Sequence, residues 1–156
     1  MAREAVIINV YWLNFGCGST LTKSGLSVYH SGIEVYGTEF TYGQCNAIEP
    51  ISGVVEMTPR GAEKLDKKLI FKQAIHLGYT DLTELDVIRI TTELGTEDFR
   101  GDKYHVLSRN CNHFSNALAE ILCGKKIPSW INRLARIGQA GYDLYFLWRR
   151  KVQVVT

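Results

Sequence analysis

The sequence predicts an α+β fold in which an antiparallel sheet packs on a helix that begins with a cysteine. Five segments rich in β-branched and aromatic residues occupy the first half of the chain, and segments with helical spacing follow in the second half. Strands that precede the helices, instead of alternating with them, are typical of α+β domains with antiparallel sheets. The chain has 156 residues, which is enough for one domain with its own core. We therefore expect a single domain over residues 1–156.

The predicted strands are short and are bounded by turn-forming residues. They cover residues 5–11, 27–36, 39–43, 53–57 and 69–78. The first has the β-branched composition of a buried strand. The second and third form a predicted hairpin, because Gly37-Thr38 between them has glycine in first place, as in a type II′ turn.

The helix predicted from residue 111 carries the most chemical information. Its apolar side chains recur at three- and four-residue intervals, at Phe114, Ala117, Leu118, Ile121 and Leu122. Asn110 is a suitable N-cap, and Gly124 suits a left-handed stop. Cys111 is then the first helical residue, where free N–H groups and the helix dipole stabilise a thiolate. The alternative interpretation is a small apolar residue packed at a helix start.

Two further helices are predicted in the second half of the chain. Residues 81–84 have the pattern of a capping box, and the helix that follows should end near Gly95. The apolar positions of this helix are Leu82, Leu85, Ile88 and Leu94. Pro128 opens the other helix, whose apolar positions extend to Ile137. The aromatic and then basic residues 142–151 favour a last helix packed on the core over one that lies on a membrane surface.

Composition and charge are those of an ordinary globular protein. Hydrophobic residues make up 46% of the chain and charged residues 22%, and the net charge is only +2. Because the charge is small and no RNA-binding motif is present, we do not expect a nucleic-acid partner. No apolar run approaches the ~20 residues that cross a bilayer, and no secretory leader is recognisable. We therefore expect a cytoplasmic protein without a transmembrane segment, with the nucleus as a further compartment.

The four cysteines, Cys17, Cys45, Cys111 and Cys123, are predicted to be free thiols in a reducing compartment. They form no C-x-x-C pair and show no zinc-ligand spacing. Cys111 and Cys123 lie on one helix about 18 Å apart, so they cannot bind one ion. A serine hydrolase is disfavoured because no G-x-S-x-G motif occurs. We expect neither a metal nor a cofactor.

A cysteine nucleophile needs a base, and four histidines could supply it. His30 is the best candidate, because it lies within a predicted strand and Gly32 leaves room on the same face for another element. His113 is about 200° round the helix from the cysteine, so we expect it to point away or to brace the helix. The direction of His105 is not predicted, and His76 is expected to be structural. A histidine satisfied within the core is the alternative interpretation of His30.

Two long segments resemble the signatures of a known family. Residues 28–43, Val-Tyr-His-Ser-Gly-Ile-Glu-Val-Tyr-Gly-Thr-Glu-Phe-Thr-Tyr-Gly, closely resemble the first signature of the PPPDE family, the desumoylating isopeptidases. Residues 110–115, Asn-Cys-Asn-His-Phe-Ser, and residues 123–134, Cys-Gly-Lys-Lys-Ile-Pro-Ser-Trp-Ile-Asn-Arg-Leu, resemble the second. Within that family, the sequence most resembles the second-type desumoylating isopeptidases. The resemblance covers about residues 5–138 and leaves residues 139–156 as a C-terminal tail.

The resemblance implies a circularly permuted papain-like fold, in which the histidine strand precedes the cysteine helix and the sheet packs on that helix. It also implies a cysteine hydrolase of the peptidase and isopeptidase type, with Cys111 as the nucleophile and His30 as the base. One departure concerns the first strand. Family members often continue it as Val-Tyr-Asp, whereas here Val10-Tyr11 is followed by Trp12. We therefore assign no third catalytic carboxylate.

The implied chemistry is acyl transfer. The Cys111 thiolate attacks a carbonyl carbon, and N–H groups at the helix start, chiefly that of Cys111, hold the oxyanion. A second oxyanion donor is needed, and Asn14 and Tyr11 are candidates. His30 then protonates the leaving group, and water releases the acyl enzyme.

Three functions fit this chemistry. The first is an isopeptidase that removes SUMO or ubiquitin-like modifiers from proteins. The Gly-Gly tail of such a modifier needs a narrow channel, for which the candidates are Gly16, Gly18, Gly25 and Gly32, although turn formation is the alternative role of each. The second is a protein S-acyl (palmitoyl) thioesterase with the same dyad, and the third is a non-catalytic binding module. The sequence leaves the modifier, the amide or thioester substrate and the oligomeric state open.

Overall fold

A computed structural model gives the structure of the protein and describes residues 3–14, 27–45 and 51–133. The predicted α+β fold is confirmed, with an antiparallel sheet and helices that mostly follow it. The strands are β1 (Glu4–Leu13), β2 (Tyr29–Val35), β3 (Thr38–Tyr42), β4 (Val54–Met57) and β5 (Leu69–Thr80). The helices are α1 (Ala62–Leu65), α2 (Glu84–Thr96) and α3 (Cys111–Cys123), with a 3₁₀ turn at Gly101–Lys103.

The sheet has the order β4-β3-β2-β1-β5, so β1 is flanked on both sides. It pairs with β2 and with the long β5, and both pairings are antiparallel. Val6, Ile8 and Val10 of β1 are fully buried, which accounts for the β-branched composition of this segment. Helix α3 packs on β2 and also contacts β1, β3 and β5. The histidine strand thus precedes the cysteine helix and packs on it, as the permuted papain-like fold requires.

The hairpin between β2 and β3 differs from the prediction. Val35 pairs with Thr38, so the two turn residues are Tyr36 and Gly37 instead of Gly37 and Thr38. Both have positive φ, 52° and 70°, which is the type I′ conformation and not type II′. A type I′ turn matches the right-handed twist of the paired strands, and this favours the turn although Tyr36 is not glycine.

Helix α2 is present, but its cap and buried face differ from the prediction. Thr83 is the N-cap, and the capping box joins it to Asp86, so the box begins two residues later than the predicted one. Val87, Thr91 and Gly95 form the buried face, whereas the predicted apolar positions Leu85 and Ile88 are exposed. Gly95 lies close to the side chains of Ser52 and Val54, where a larger residue would not fit. The Gly95 face of α2 is therefore the one that packs on the edge strand β4.

Helix α3 begins and ends where its capping residues predict. Asn110 is the N-cap, and Gly124 ends the helix in the left-handed conformation with φ 69°. Phe114, Leu118 and Leu122 are buried as predicted, but Ile121 is exposed. The described residues contain no helix that is long and apolar enough to cross a membrane.

The chain beyond α3 is described only as far as residue 133. Residues 129–132 form turns at the start of the helix that Pro128 was predicted to open. The rest of that helix and the C-terminal tail lie outside the described residues. The single-domain assignment for residues 1–156 therefore stays a prediction.

Candidate active site

Cys111 lies at the first position of α3 and is buried, with 4% of its surface exposed. The Asn110 side chain accepts the N–H groups of Asn112 and His113, at 2.9 and 3.0 Å. In return, the Asn110 N–H donates to His113 Nδ1 at 3.1 Å. This reciprocal cap satisfies two of the free N–H groups of the first turn. Because Cys111 is the first residue of the helix, the helix dipole favours a negative charge at its sulfur.

The Asn112 side chain joins the start of α3 to β2. Its amide donates to the Tyr29 carbonyl at 3.0 Å, and its oxygen accepts the Ser31 hydroxyl at 2.7 Å. Tyr29 and Ser31 are the two neighbours of His30, and Asn112 is the neighbour of Cys111. The two bonds therefore fix the separation between the predicted base and the predicted nucleophile.

The structure brings His30 and Cys111 together in a hydrogen bond. Burial alone would raise the pKa of the Cys111 thiol, but the charge and hydrogen bond of His30, with smaller contributions from Ser31 and Tyr104, lower it below its ordinary value. Burial alone would lower the pKa of His30, but the Cys111 thiolate, with help from the Glu39 charge, raises it. Each group therefore favours the charged form of the other.

The Cys111 sulfur occupies a gap between β2 and β3. Pairing of the two strands ends at Ile33 and Phe40, so Ser31 lies beyond the last registered pair. The Ser31 carbonyl accepts the Thr41 hydroxyl at 2.8 Å, and the Ser31 N–H donates to the sulfur. The Ser31 N–H, which β3 does not use although it extends to Tyr42, is thus left for the thiolate, which it stabilises.

Thr41 determines which nitrogen of His30 faces the sulfur. Its hydroxyl oxygen lies 3.0 Å from His30 Nε2 and donates its one proton to the Ser31 carbonyl. It can therefore only accept from His30, which places a proton on Nε2. Nδ1 is then the ring nitrogen that is left to face Cys111.

We expect Thr41→Val to slow alkylation of Cys111 near neutral pH by about 2- to 10-fold, the value of one hydrogen bond. Valine keeps the shape of threonine but leaves the Nε2 proton without its partner, so the imidazolium and the thiolate beside it are both less stable. Alkylation by iodoacetamide, followed across pH, measures the effect. Thr41→Ser keeps the hydroxyl and should behave as the wild type, and an equal rate in Thr41→Val would contradict this role.

Tyr104 is a site residue that the sequence interpretation missed. Its hydroxyl donates to the Cys111 sulfur and accepts from the Cys111 N–H. Its ring packs on that of Tyr42, with centroids 5.1 Å apart. Burial and then the charge of the thiolate raise the pKa of Tyr104 well above its ordinary value, so the phenol keeps its proton. No motif or spacing singles it out, because it follows the 3₁₀ turn and reaches Cys111 only in the folded chain.

The other three histidines have structural contacts. His113 caps α3, and burial followed by the charge of Arg109 lowers its pKa, which keeps it neutral and able to accept the Asn110 N–H. The prediction that His113 braces the helix is therefore confirmed. His105 Nδ1 accepts the N–H groups of Leu107 and Ser108, at 3.3 and 3.2 Å, and stabilises the turn before Cys111. His76 is exposed and packs on Tyr79.

Gly32 provides room, as predicted, but the space is filled by Glu39. A Cβ atom at Gly32 would lie within 2.4 Å of Glu39 Oε1. Gly32 is therefore not a candidate for the wall of a substrate channel, and the other three predicted channel glycines lie outside the described residues. Among the residues that the structure describes, no cluster of His, Cys, Asp and Glu side chains could hold a metal ion.

The two predicted oxyanion donors are not supported by their surroundings. The Tyr11 hydroxyl donates to Glu39, at 2.8 and 3.0 Å from its two oxygens, and Tyr11 is fully buried. Asn14 is exposed beyond the end of β1, where its N–H donates to the Lys68 carbonyl. Besides His30, the Tyr104 hydroxyl and the Ser31 N–H donate to the sulfur among the described residues, and the Cys111 N–H donates to the Tyr104 hydroxyl beside it.

Comparison with known proteins finds several similar sequences. A desumoylating isopeptidase 1 homolog of Caenorhabditis elegans is 46% identical over 131 residues, which cover 84% of this chain and 37% of that protein. A DeSI-like protein of Arabidopsis thaliana is 39% identical over 137 residues, covering 88% and 58%. Human desumoylating isopeptidase 1 is 34% identical over 134 residues, covering 83% and 73%.

The chain thus spans well under two thirds of the length of the worm and plant relatives. The match to a family model is more complete. Residues 4–145 match the PPPDE peptidase domain, and they include both His30 and Cys111. The chain therefore belongs to the PPPDE peptidase family.

Proposed function

We propose that this protein is a cysteine isopeptidase that removes SUMO or a ubiquitin-like modifier from other proteins through Cys111 and His30. The observation that carries the proposal is the hydrogen bond between these two side chains at the start of α3, within a PPPDE peptidase domain. The names of its relatives, desumoylating isopeptidases, support SUMO as the modifier.

The reaction begins with attack of the Cys111 thiolate on the isopeptide carbonyl carbon. The carbonyl oxygen becomes an oxyanion, which the Cys111 N–H and the Tyr104 hydroxyl stabilise. In the free protein the Tyr104 hydroxyl donates to the sulfur and accepts from the Cys111 N–H, so the substrate oxygen has to enter between these two donors. The C–N bond then breaks as Nδ1 of His30 gives its proton to the departing lysine amine.

The second half of the reaction releases the modifier. The modifier is joined to Cys111 as a thioester, and His30 is now neutral. Nδ1 accepts a proton from a water molecule, and that water attacks the thioester carbonyl. Thiolate leaves, and Nδ1 again carries the proton that faces it. The Nε2 proton stays on His30 and is donated to the Thr41 hydroxyl oxygen throughout, so one tautomer serves both halves.

The experiment that tests the proposal is hydrolysis of a panel of substrates by the purified, reduced protein. The panel contains a SUMO-conjugated protein, a ubiquitin-conjugated protein and a palmitoyl thioester reporter. We expect the SUMO conjugate to be cleaved at its isopeptide bond. Cleavage of the thioester alone would favour the S-acyl thioesterase, and cleavage of none, with no labelling by a modifier-based electrophile, would favour the binding module.

We expect Tyr104→Phe to lower kcat on the SUMO conjugate on the order of 10²-fold, as loss of an oxyanion donor does in other acyl-transfer enzymes. The aromatic ring and its packing are kept, so the variant isolates the hydroxyl. Tyr42→Phe is the matched control, because its hydroxyl donates to the Arg100 carbonyl and not to the sulfur. An unchanged kcat in Tyr104→Phe would show that the second donor is another group.

A further inference from the structure

Glu39 is a buried carboxylate that the proposed reaction does not use. It lies in β3, two residues before Thr41, and its side chain is fully buried. None of the ion pairs among the described residues includes it. A buried charge without a cationic partner is costly, and such groups are kept where they have a specific task.

Three separate features of the fold form the cavity that holds this carboxylate. Gly32 leaves the space for Oε1, as described above. Asn9 Nδ2 and the Tyr11 hydroxyl donate to the carboxylate at 2.8 Å each. The Arg60 N–H donates to Oε2 at 2.7 Å, from a residue in the left-handed conformation with φ 61°. A non-glycine residue in this conformation costs of order 1 kcal/mol, so the fold accepts strain to supply this donor.

Every one of these contacts is a donor, which identifies the side chain as an ionised carboxylate. A protonated carboxyl would need an acceptor for its own hydrogen. The Tyr11 phenol keeps its proton, because burial and then the charge of Glu39 raise its pKa. The donors around Glu39 hold its carboxylate in place, close to the groups on the same face of the sheet.

The nearest group that gains a positive charge in the reaction is His30. Tyr11 lies opposite His30 in the pairing of β1 and β2, and the two ring centroids are 5.7 Å apart. The hydroxyl of Tyr11 donates to Glu39. Thr41, on the same face of β3 as Glu39, contacts His30 directly. The carboxylate thus lies one side chain away from the imidazole.

We propose that Glu39 is a positioning residue that stabilises the His30 imidazolium through space, as the anionic third member of the site. The inference rests on the proposed function. The pair has no carboxylate bonded directly to its histidine. The charges that favour the imidazolium within the fold, against the effect of burial, are the Cys111 thiolate, then Glu39 and then Asp66.

The test is the pH profile of Cys111 alkylation in Glu39→Gln, with Glu34→Gln as the matched control. Both carboxylates accept from the same Asn9 amide, but Glu34 is only half-buried and is not among the groups that raise the pKa of His30. The reagent is iodoacetate, whose carboxylate the imidazolium beside the thiolate attracts, so alkylation slows as pH rises through the pKa of His30; this fall gives the profile its alkaline limb. We expect Glu39→Gln to move this limb down by about half a pH unit or more, and Glu34→Gln to leave it in place. The other titratable groups that act on His30, namely Cys111 and Asp66, are the same in both variants.

Tyr11→Phe keeps the test decisive if Glu39→Gln does not fold. It retains the ring and the carboxylate but removes a donor that partly neutralises the charge, so the alkaline limb should move up. A purely structural role for Glu39 predicts the same limb in all folded variants, and that result would overturn the inference. Alkylation needs no substrate, so this failure is distinct from a failure of the wild type to cleave any modifier conjugate.

Discussion

Cys111→Ser should abolish cleavage of the SUMO conjugate, with a loss of at least about 10⁴-fold in kcat. Serine is nearly isosteric, so the cap on α3 and the contacts of Asn112 should be kept. The hydroxyl, however, has a far higher pKa than the thiol, and the surroundings of Cys111 are matched to a thiolate. The base that removes a proton from a thiol in this site does not ionise an alcohol, so the nucleophile is lost while substrate binding survives.

The measurement is single-turnover hydrolysis of the conjugate by the wild type and the variant, with a pull-down of the uncleaved conjugate to confirm binding. Cys123→Ser is the control, since its sulfur only donates to the Ala119 carbonyl at the other end of α3. Cleavage that persists in Cys111→Ser would mean that another residue of the protein, or a contaminant, performs the reaction.

His30→Ala should lower the same activity on the order of 10³-fold and should also change the thiol. The imidazolium is the largest of the influences that lower the pKa of Cys111, so its removal raises that pKa. Burial then opposes the thiolate with less compensation, and the reactive form appears only at higher pH. Alkylation near pH 6 should become slow, while alkylation above about pH 9 should approach the wild-type rate.

Two controls separate this effect from general damage. His76→Ala removes an exposed histidine that packs on Tyr79 and should leave both hydrolysis and alkylation unchanged. Thermal denaturation of His30→Ala should remain cooperative, because the links of α3 to β2 go through the neighbouring Tyr29 and Ser31. Unchanged alkylation in a folded His30→Ala would mean that another group, and not His30, stabilises the thiolate.

The parts of the site that could be predicted are those with local signals. Asn110 and Gly124 have side-chain and backbone preferences that mark the two ends of a helix, so the position of Cys111 at the helix start follows from the sequence. The alternation of β2 places His30 and Gly32 on one face. Gly32 also signals a close approach, although the sequence does not say which group approaches.

The parts that could not be predicted depend on contacts between distant segments. Thr41 contacts His30 because β3 folds back beside β2, and Tyr104 reaches Cys111 from the far end of the 3₁₀ turn. Glu39 looks like an ordinary strand residue in the sequence, and only the donors that converge on it from two other segments, β1 and the turn at Arg60, show its surroundings. The errors in the hairpin type and in the capping box of α2 have a different cause. Each was a choice between neighbouring registers that local preferences do not separate.

If His30 holds Cys111 as a thiolate, Cys111 should be the most reactive thiol of the wild type at mildly acidic pH, and alkylation resolved by cysteine measures this directly. Iodoacetamide labelling near pH 6, with each labelled cysteine identified by mass spectrometry, compares the four thiols under one condition. We expect Cys111 to be labelled first, although it is buried. The half-buried Cys45 and Cys123 have no histidine at the sulfur among the described contacts. Faster labelling of Cys17 or Cys45 than of Cys111 at this pH would contradict it.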